Sequence, residues 1–346
     1  MIYIRTDMNT EIATGHMMRC IAIADAIAAL GERVTFILAD NQASQLLEQR
    51  GYPAIILGTR WNDKTREIPS IMECIINNHI HVMLVDSYQV TNEYMKSISQ
   101  MTKVYYIDDL GEKVFPVKGI ICYMNYYNKF NFSSKYSSGE KLMLGTKYTP
   151  LRQEFKKIET KSVSRKINSL LILSGGTDPY NFIWEFLERL DIRNYEEIWV
   201  ICGRYYEKYQ EIVAKYSCNK NVKIRKAIDK VAEYMLRSDV AISAGGTTLY
   251  ELCACGTPTV TYSFADNQLE NVKSFEQQGL MLYAGDLRKD CVIDNALRIL
   301  KSDFALQSVR QKIAQKMQHL VDGYGASRIA EELIKENKTN DAKISY

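Results

Sequence analysis

At 346 residues the chain exceeds one average domain, and two domains are expected. Hydrophobic residues make up 46% and charged residues 25%, and 44 basic residues nearly balance 41 acidic ones for a net charge of +3, an ordinary globular composition that gives no sign of a polyanion partner. There is no block of about five like charges and no apolar run near the ~18 residues of a membrane span, so neither a nucleic-acid nor a membrane partner is expected.

The chain opens with Met-Ile-Tyr-Ile-Arg-Thr-Asp, a strand pattern without the basic start, apolar stretch and cleavage site of a signal peptide. The eight cysteines are scattered, with no CxxC and no paired zinc spacing, which points to reduced thiols packed as small hydrophobes and to a cytoplasmic location. Strand patterns at 2–6, 33–38, 54–57, 82–86, 104–107 and 119–122 alternate with helical patterns at 16–30, 43–50, 69–78 and 91–100. Runs such as Val34-Thr35-Phe36-Ile37-Leu38 are almost continuously apolar, as strands covered on both faces are. Residues 123–167 break the rhythm and read as a loop followed by a linker. The alternation restarts with SLLILSGG, a buried strand ending in a Gly pair, then strands at 196–202, 222–226, 239–242, 257–261 and 281–283, helices between them, and a last helical pattern, ASRIAEELIKE. The expected architecture is α/β, with two Rossmann-like, doubly wound parallel sheets facing a cleft. Its expected bounds are 1–150, a linker at 151–167, a second domain at 168–337 and a flexible tail at 338–346.

Three Gly-rich turns follow strand patterns and precede helices: Ala13-Thr14-Gly15-His16, Ser174-Gly175-Gly176-Thr177-Asp178 and Ser243-Ala244-Gly245-Gly246-Thr247-Thr248. Helix N-termini offer unpaired N–H donors and partial positive charge, and glycine lets an anion come close to the backbone. Each turn alone is commonplace; three at one topological position point to phosphate. Neither GxGxxG nor GxxxxGK[ST] spacing is present, which disfavours a dinucleotide or a P-loop nucleotide. Glu251, four residues after Thr247, either accepts from ribose hydroxyls or complements its helix dipole. Asp266, Asn267 and Gln268 crowd a helix start and suit sugar hydroxyls and N-acetyl groups, or capping, equally well.

His16 stands at the start of the first long helix, where the N-terminus disfavours an imidazolium, and a neutral imidazole can act as a general base. Capping or packing is the bland alternative. His79, His81 and His319 read as structural, and no histidine lies at ligand spacing from another. Asp108-Asp109 is the one adjacent aspartate pair, better suited to turn formation or substrate positioning than to a metal.

Together, RTDMNTEIATGHMMRCIAIADAI, LILSGGTDP and ISAGGTTLYELCACGTPTVTYSFADNQ resemble the UDP-sugar hydrolases of pseudaminic acid biosynthesis, which act on UDP-2,4-diacetamido-2,4,6-trideoxy-β-L-altropyranose and are related to the MurG-like glycosyltransferases of the GT-B fold. The resemblance spans about residues 1–335. It implies that His16 activates the water that attacks the anomeric carbon with inversion, UDP leaving, and that no metal or cofactor is needed. It further implies that Gly175, Gly176, Gly245, Gly246, Thr247 and Thr248 surround the diphosphate, Glu251 the ribose, and Asn267 and Gln268 the sugar or phosphates. Gly15, Thr177, Asp266 and Arg152, the last in YTPLRQEF, complete the expected substrate contacts. Asp86-Ser87-Tyr88 stands where the family has Asp-His-Tyr, and Tyr123-Met124-Asn125 where it has Asp-Gln-Asn; Asp86 and Tyr88 are kept as sugar-side residues.

The expected function is thus a metal-independent UDP-sugar hydrolase that takes a small-molecule substrate, with a GT-B glycosyltransferase or a non-catalytic nucleotide-sugar binder as the rivals. UDP is a good leaving group once helix N-termini stabilise its charge, so a base and a placed nucleophile suffice. The sequence sets no oligomeric state.

Overall fold

The computed structural model describes residues 1–344 apart from 10, 13, 137 and 138, with backbone alone for 340–344. Ala13 of the first Gly turn and the last two residues of the expected tail lie outside the described residues.

The chain divides into two compact units, Met1–Gln153 with Gly323–Tyr346, and Glu154–Asp322. In the first, the buried apolar runs form β1 (Ile2–Thr6), β2 (Val34–Leu38), β3 (Ala54–Ile56), β4 (Val82–Asp86), β5 (Lys103–Ile107), β6 (Gly119–Cys122) and β7 (Lys141–Leu144). They pair in the order β3-β2-β1-β4-β5-β6-β7, every neighbour parallel. The second unit has β8 (Ser169–Leu173), β9 (Glu197–Cys202), β10 (Val222–Lys226), β11 (Val240–Ala244), β12 (Thr259–Ser263) and β13 (Leu282–Asp286), parallel in the order β10-β9-β8-β11-β12-β13. Each is a doubly wound sheet whose strand order reverses beside its first strand.

Four expectations need correction. Residues 141–144, expected in a loop, form the edge strand β7. The helix expected at 69–78 begins at Lys64; the Asp63 side chain caps it by accepting from Arg66 N, and Pro69 lies inside it. The last helix runs Gly325–Ile344, through most of the segment expected to fray, and packs on helix Gly15–Ala29 of the first unit rather than in the second domain. The amphipathic pattern of that helix specified a buried face but not its partner.

A charge network lies at the carboxyl edge of β1. Arg5 is fully buried and donates through Nε and Nη2 to Glu67 (2.8 and 2.5 Å), while its Nη1 meets Asp7 at 2.8 Å. Buried Lys64 reaches both Asp7 and Glu67 at 3.1 Å, and the Tyr94 hydroxyl donates to Glu67 at 2.9 Å. Two cations and two carboxylates balance, which is what makes their burial tolerable. Asp7 also accepts from Ala39 N at 2.8 Å and so pins the start of the loop that leads to Gly15. All eight cysteines are free, Cys218 and Cys291 exposed and the others buried. Among the described residues no helix is long and apolar enough to cross a membrane.

Candidate active site

In the first unit, β1 and β4 are the neighbours at which strand order reverses, and Thr6 is paired with Asp86 across them. A doubly wound sheet opens its ligand crevice at the carboxyl ends of such strands. The loop after β1 is shaped by Asn9, whose Oδ1 accepts from Glu11 N and Ile12 N at 2.9 Å. Helix Gly15–Ala29 then starts, and His16, Arg19 and Cys20, at spacings of three and four, share one helical face.

That face meets Asp86. His16 Nδ1 lies 2.6 Å from Asp86 Oδ1. Arg19 grips the same carboxylate with two donors, Nε to Oδ2 at 2.6 Å and Nη2 to Oδ1 at 2.5 Å. The Cys20 thiol donates to Oδ2 at 3.4 Å. The third guanidinium nitrogen, Nη1, donates to Asp109 Oδ2 (2.8 Å) and the Tyr123 hydroxyl (2.7 Å). The Tyr88 hydroxyl also donates to Asp109 Oδ2, at 2.8 Å, and its ring lies edge-on to the His16 imidazole with centroids 4.5 Å apart.

Burial alone would raise the Asp86 carboxyl, but Arg19 and His16 outweigh it and hold the group well below the usual carboxylate range. Burial likewise opposes the Arg19 cation and is overcome by Asp86, Tyr123 and Asp109. Burial and the neighbouring Asp109 push the Tyr88 phenol far up, so it remains a donor. An ionised carboxylate only accepts, so the hydrogen of the His16–Asp86 bond sits on Nδ1. The 2.9 Å approach of Arg19 Nη2 to Nδ1 then follows from two donors sharing Oδ1. Nε2 makes no hydrogen bond among the described residues, and a tenth of the side chain stays exposed. The arrangement fixes the His16 ring against a buried carboxylate that Arg19 also grips.

In the second unit the strand order reverses between β8 and β11, and both Gly pairs follow these two strands. Gly175 has φ +80°, a left-handed conformation that favours glycine. Gly203, after β9, must also be glycine, because a Cβ there would lie 2.2 Å from Gly175 O and 2.3 Å from Gly176 O. Ahead of helix Phe182–Arg189, whose N-cap is Asn181, Asp178 accepts from Phe182 N and Ile183 N at 2.9 and 3.0 Å. Buried Asn271 donates from Nδ2 to Gly245 O (3.1 Å) and Gly246 O (3.3 Å), and its Oδ1 accepts from the Tyr250 hydroxyl at 2.9 Å. A trans peptide points its N–H opposite its carbonyl. Holding Gly246 O therefore turns the Thr247 N–H away from Asn271, at the start of helix Thr248–Cys255, where first-turn N–H groups have no helical partner.

The expected site residues sort accordingly. His16 and Gly15 stand at the mouth of the first sheet; Gly175, Gly176, Thr177, Gly245, Gly246, Thr247 and Thr248 at the mouth of the second. Glu251 is half-buried on helix Thr248–Cys255, and Arg152 half-buried in the first unit. Asp86 is corrected: only 1% exposed and committed to His16, Arg19 and Cys20, it has no open edge for a sugar. Tyr88, 40% exposed, stands over His16. Asp266 pairs with Arg288 at 2.7 Å, and Gln268 Oε1 accepts from Phe264 N at 3.0 Å; Asn267 is exposed on the same helix. Sequence reading gave no role to Arg19 or Asn271 and left Asp109 undecided. The spacing of Arg19 from His16 was a usable signal; nothing local marked Asn271. Among the described residues no group of three or more His, Cys, Asp or Glu is arranged to hold a metal ion.

Comparison with known proteins bears on this geometry. An uncharacterized protein of Methanocaldococcus jannaschii is 25% identical over 315 residues, 87% of this chain and 59% of its own length. A UDP-N-acetylglucosamine–N-acetylmuramyl-(pentapeptide) pyrophosphoryl-undecaprenol N-acetylglucosamine transferase of Bacillus cytotoxicus is 33% identical over 171 residues, so the match spans under half (46%) of each chain. The spore coat polysaccharide biosynthesis protein SpsG of Bacillus subtilis is 23% identical over 333 residues, covering 93% of this chain and 94% of its own. In structure, MurG of Acinetobacter baumannii superposes with a TM-score of 0.71 at 13% identity, over 96% of this chain and 99% of its own, which identifies the fold as GT-B. Residues 170–322, which hold both Gly pairs of the second unit, match the glycosyltransferase family 28 C-terminal domain.

Proposed function

We propose that the protein is a UDP-sugar-dependent enzyme of glycosyltransferase type. The second unit holds the nucleotide, with Gly175, Gly176, Thr177, Gly245, Gly246, Thr247 and Thr248 about the diphosphate, Glu251 at the ribose, and Asn267 and Gln268 toward the sugar. His16 Nε2 takes the proton of the attacking hydroxyl. A new O–C bond forms at the anomeric carbon as its bond to the UDP oxygen breaks, and UDP departs with the electron pair. Helix N-termini stabilise that charge, so no second carboxyl is required to protonate the leaving group, in contrast to ordinary glycosidases. The observation that carries this reading is the buried His16–Asp86 pair at the switch point of the first sheet. The family 28 match over 170–322 supports the nucleotide assignment.

A second reading replaces the acceptor with water and gives a metal-independent, inverting hydrolase of UDP-2,4-diacetamido-2,4,6-trideoxy-β-L-altropyranose. It is favoured by the Tyr88 ring standing edge-on to an imidazole that is nine-tenths covered, an enclosure suited to a small nucleophile. The two readings separate by NMR of the purified protein with UDP-N-acetylglucosamine and with the diacetamido donor. UDP appearing together with free reducing sugar supports the hydrolase. UDP appearing only when a carbohydrate acceptor is added supports the transferase. Calorimetric UDP binding with neither outcome supports a binder, and absence of UDP binding overturns all three.

A further inference from the structure

We propose that Arg19 is the positioning residue of this site, holding through one guanidinium the two arms that fix the His16 ring. The inference rests on the reading of His16 as the base. Its observation is a closed circuit: His16 Nδ1 to Asp86 at 2.6 Å, Asp86 to Arg19 through two bonds, Arg19 Nη1 to Asp109 at 2.8 Å, Asp109 to the Tyr88 hydroxyl at 2.8 Å, and the Tyr88 ring back onto His16. The imidazole is therefore held at two places. Asp86 sets the proton on Nδ1, and Tyr88 abuts the ring. Arg19 hydrogen-bonds the carboxylates of both arms, Asp86 and Asp109.

The side chains come from four places in the sheet: the helix after β1, the end of β4 and the turn behind it, the turn after β5, and the residue after β6. Arg19 is 8% exposed and uses all three guanidinium nitrogens, in two directions. A planar fork can do this; an ammonium cannot span both carboxylates with matched geometry. Lysine at position 19 would therefore keep the charge and lose the alignment.

The test is 1H–15N NMR of the imidazoles, which needs no substrate. The chain has four histidines, and His16→Asn assigns the relevant signal by its disappearance. Above neutral pH the wild type should show His16 as the Nδ1–H tautomer. Arg19→Lys should abolish that single tautomer while leaving the other three signals in place. Tyr88→Phe, at an exposed position that does not threaten folding, should broaden the His16 signal without changing its tautomer. With a turned-over donor, Arg19→Lys should cost about 10–100-fold in kcat, as orienting partners do, with unchanged calorimetric affinity for UDP. An unaltered Nδ1–H tautomer in Arg19→Lys overturns the proposal. Full turnover by His16→Asn would instead refute the reading of His16 as base and leave the tautomer result standing on its own.

Discussion

Asp86→Asn is the sharpest perturbation of the first unit. The wild-type carboxylate accepts from His16 Nδ1, from Arg19 twice and from the Cys20 thiol, and is 1% exposed. An amide of the same shape offers one oxygen, and its NH2 faces donors. Breaking a buried ion pair by removing one partner costs about 3–5 kcal/mol. Because Asp109 still engages Arg19 Nη1, the loss belongs at the lower end, about 3 kcal/mol. For a unit of this size that is a fall of roughly 6–12 °C in melting temperature. Turnover should fall by about 10²–10⁴, because the imidazole loses both its tautomer and its orientation. The pH dependence has a definite sign. The folded Asp86 value is depressed below the ordinary 3.8, so its stabilisation is present above that value and is lost as pH falls toward the folded one. The melting difference between wild type and variant should be constant from about pH 5 to 8 and narrow below about pH 4. Calorimetric melting at several pH values and UDP release together measure it. A variant that melts within about 2 °C of wild type and keeps its turnover would refute the reasoning.

Other expectations follow from single contacts. Gly203→Ala places a Cβ 2.2 Å from Gly175 O, so the turn must shift, and UDP affinity by calorimetry should weaken by about tenfold or more, about 1.4 kcal/mol; unchanged affinity would remove the Gly175–Gly176 turn from the nucleotide site. Asn271→Ala strips the partner from Gly245 O and Gly246 O and should lower stability by about 1–3 kcal/mol in urea unfolding, with UDP affinity falling as well. Lys161 donates to the carbonyls of Met235, Leu236 and Ser238, and burial lowers its pKa to about 8 from 10.5. The unfolded chain then binds the extra proton between these values, so the Lys161 contribution to stability rises with pH across that window. The stability difference between wild type and Lys161→Met should grow over it, and a flat difference would contradict the assignment.

Twelve of the thirteen strands were legible, many of them because strands covered on both faces are apolar with little interruption. The strand β7 was not, since Lys141-Leu142-Met143-Leu144 is a short edge strand, half-exposed, after a polar and aromatic segment. The Gly turns were legible because they join strand to helix in sequence. The partner of His16 was not: Asp86 lies 70 residues away, and only the parallel pairing of β1 with β4 brings the two together. Asp86 consequently read as a sugar contact. Asn271 was hidden for the same reason, its target carbonyls lying 25 and 26 residues back in the chain. Asp266 and Gln268, read as ligands, engage Arg288 and Phe264 N in this structure.

The most direct measurement is His16→Asn against wild type, following UDP release from a saturating donor alongside calorimetric UDP affinity. A base at His16 requires turnover to fall by about 10²–10⁴ while UDP binds as before. Near-wild-type turnover at equal UDP affinity would contradict it and leave the His16–Asp86–Arg19 cluster a purely structural feature of the first unit.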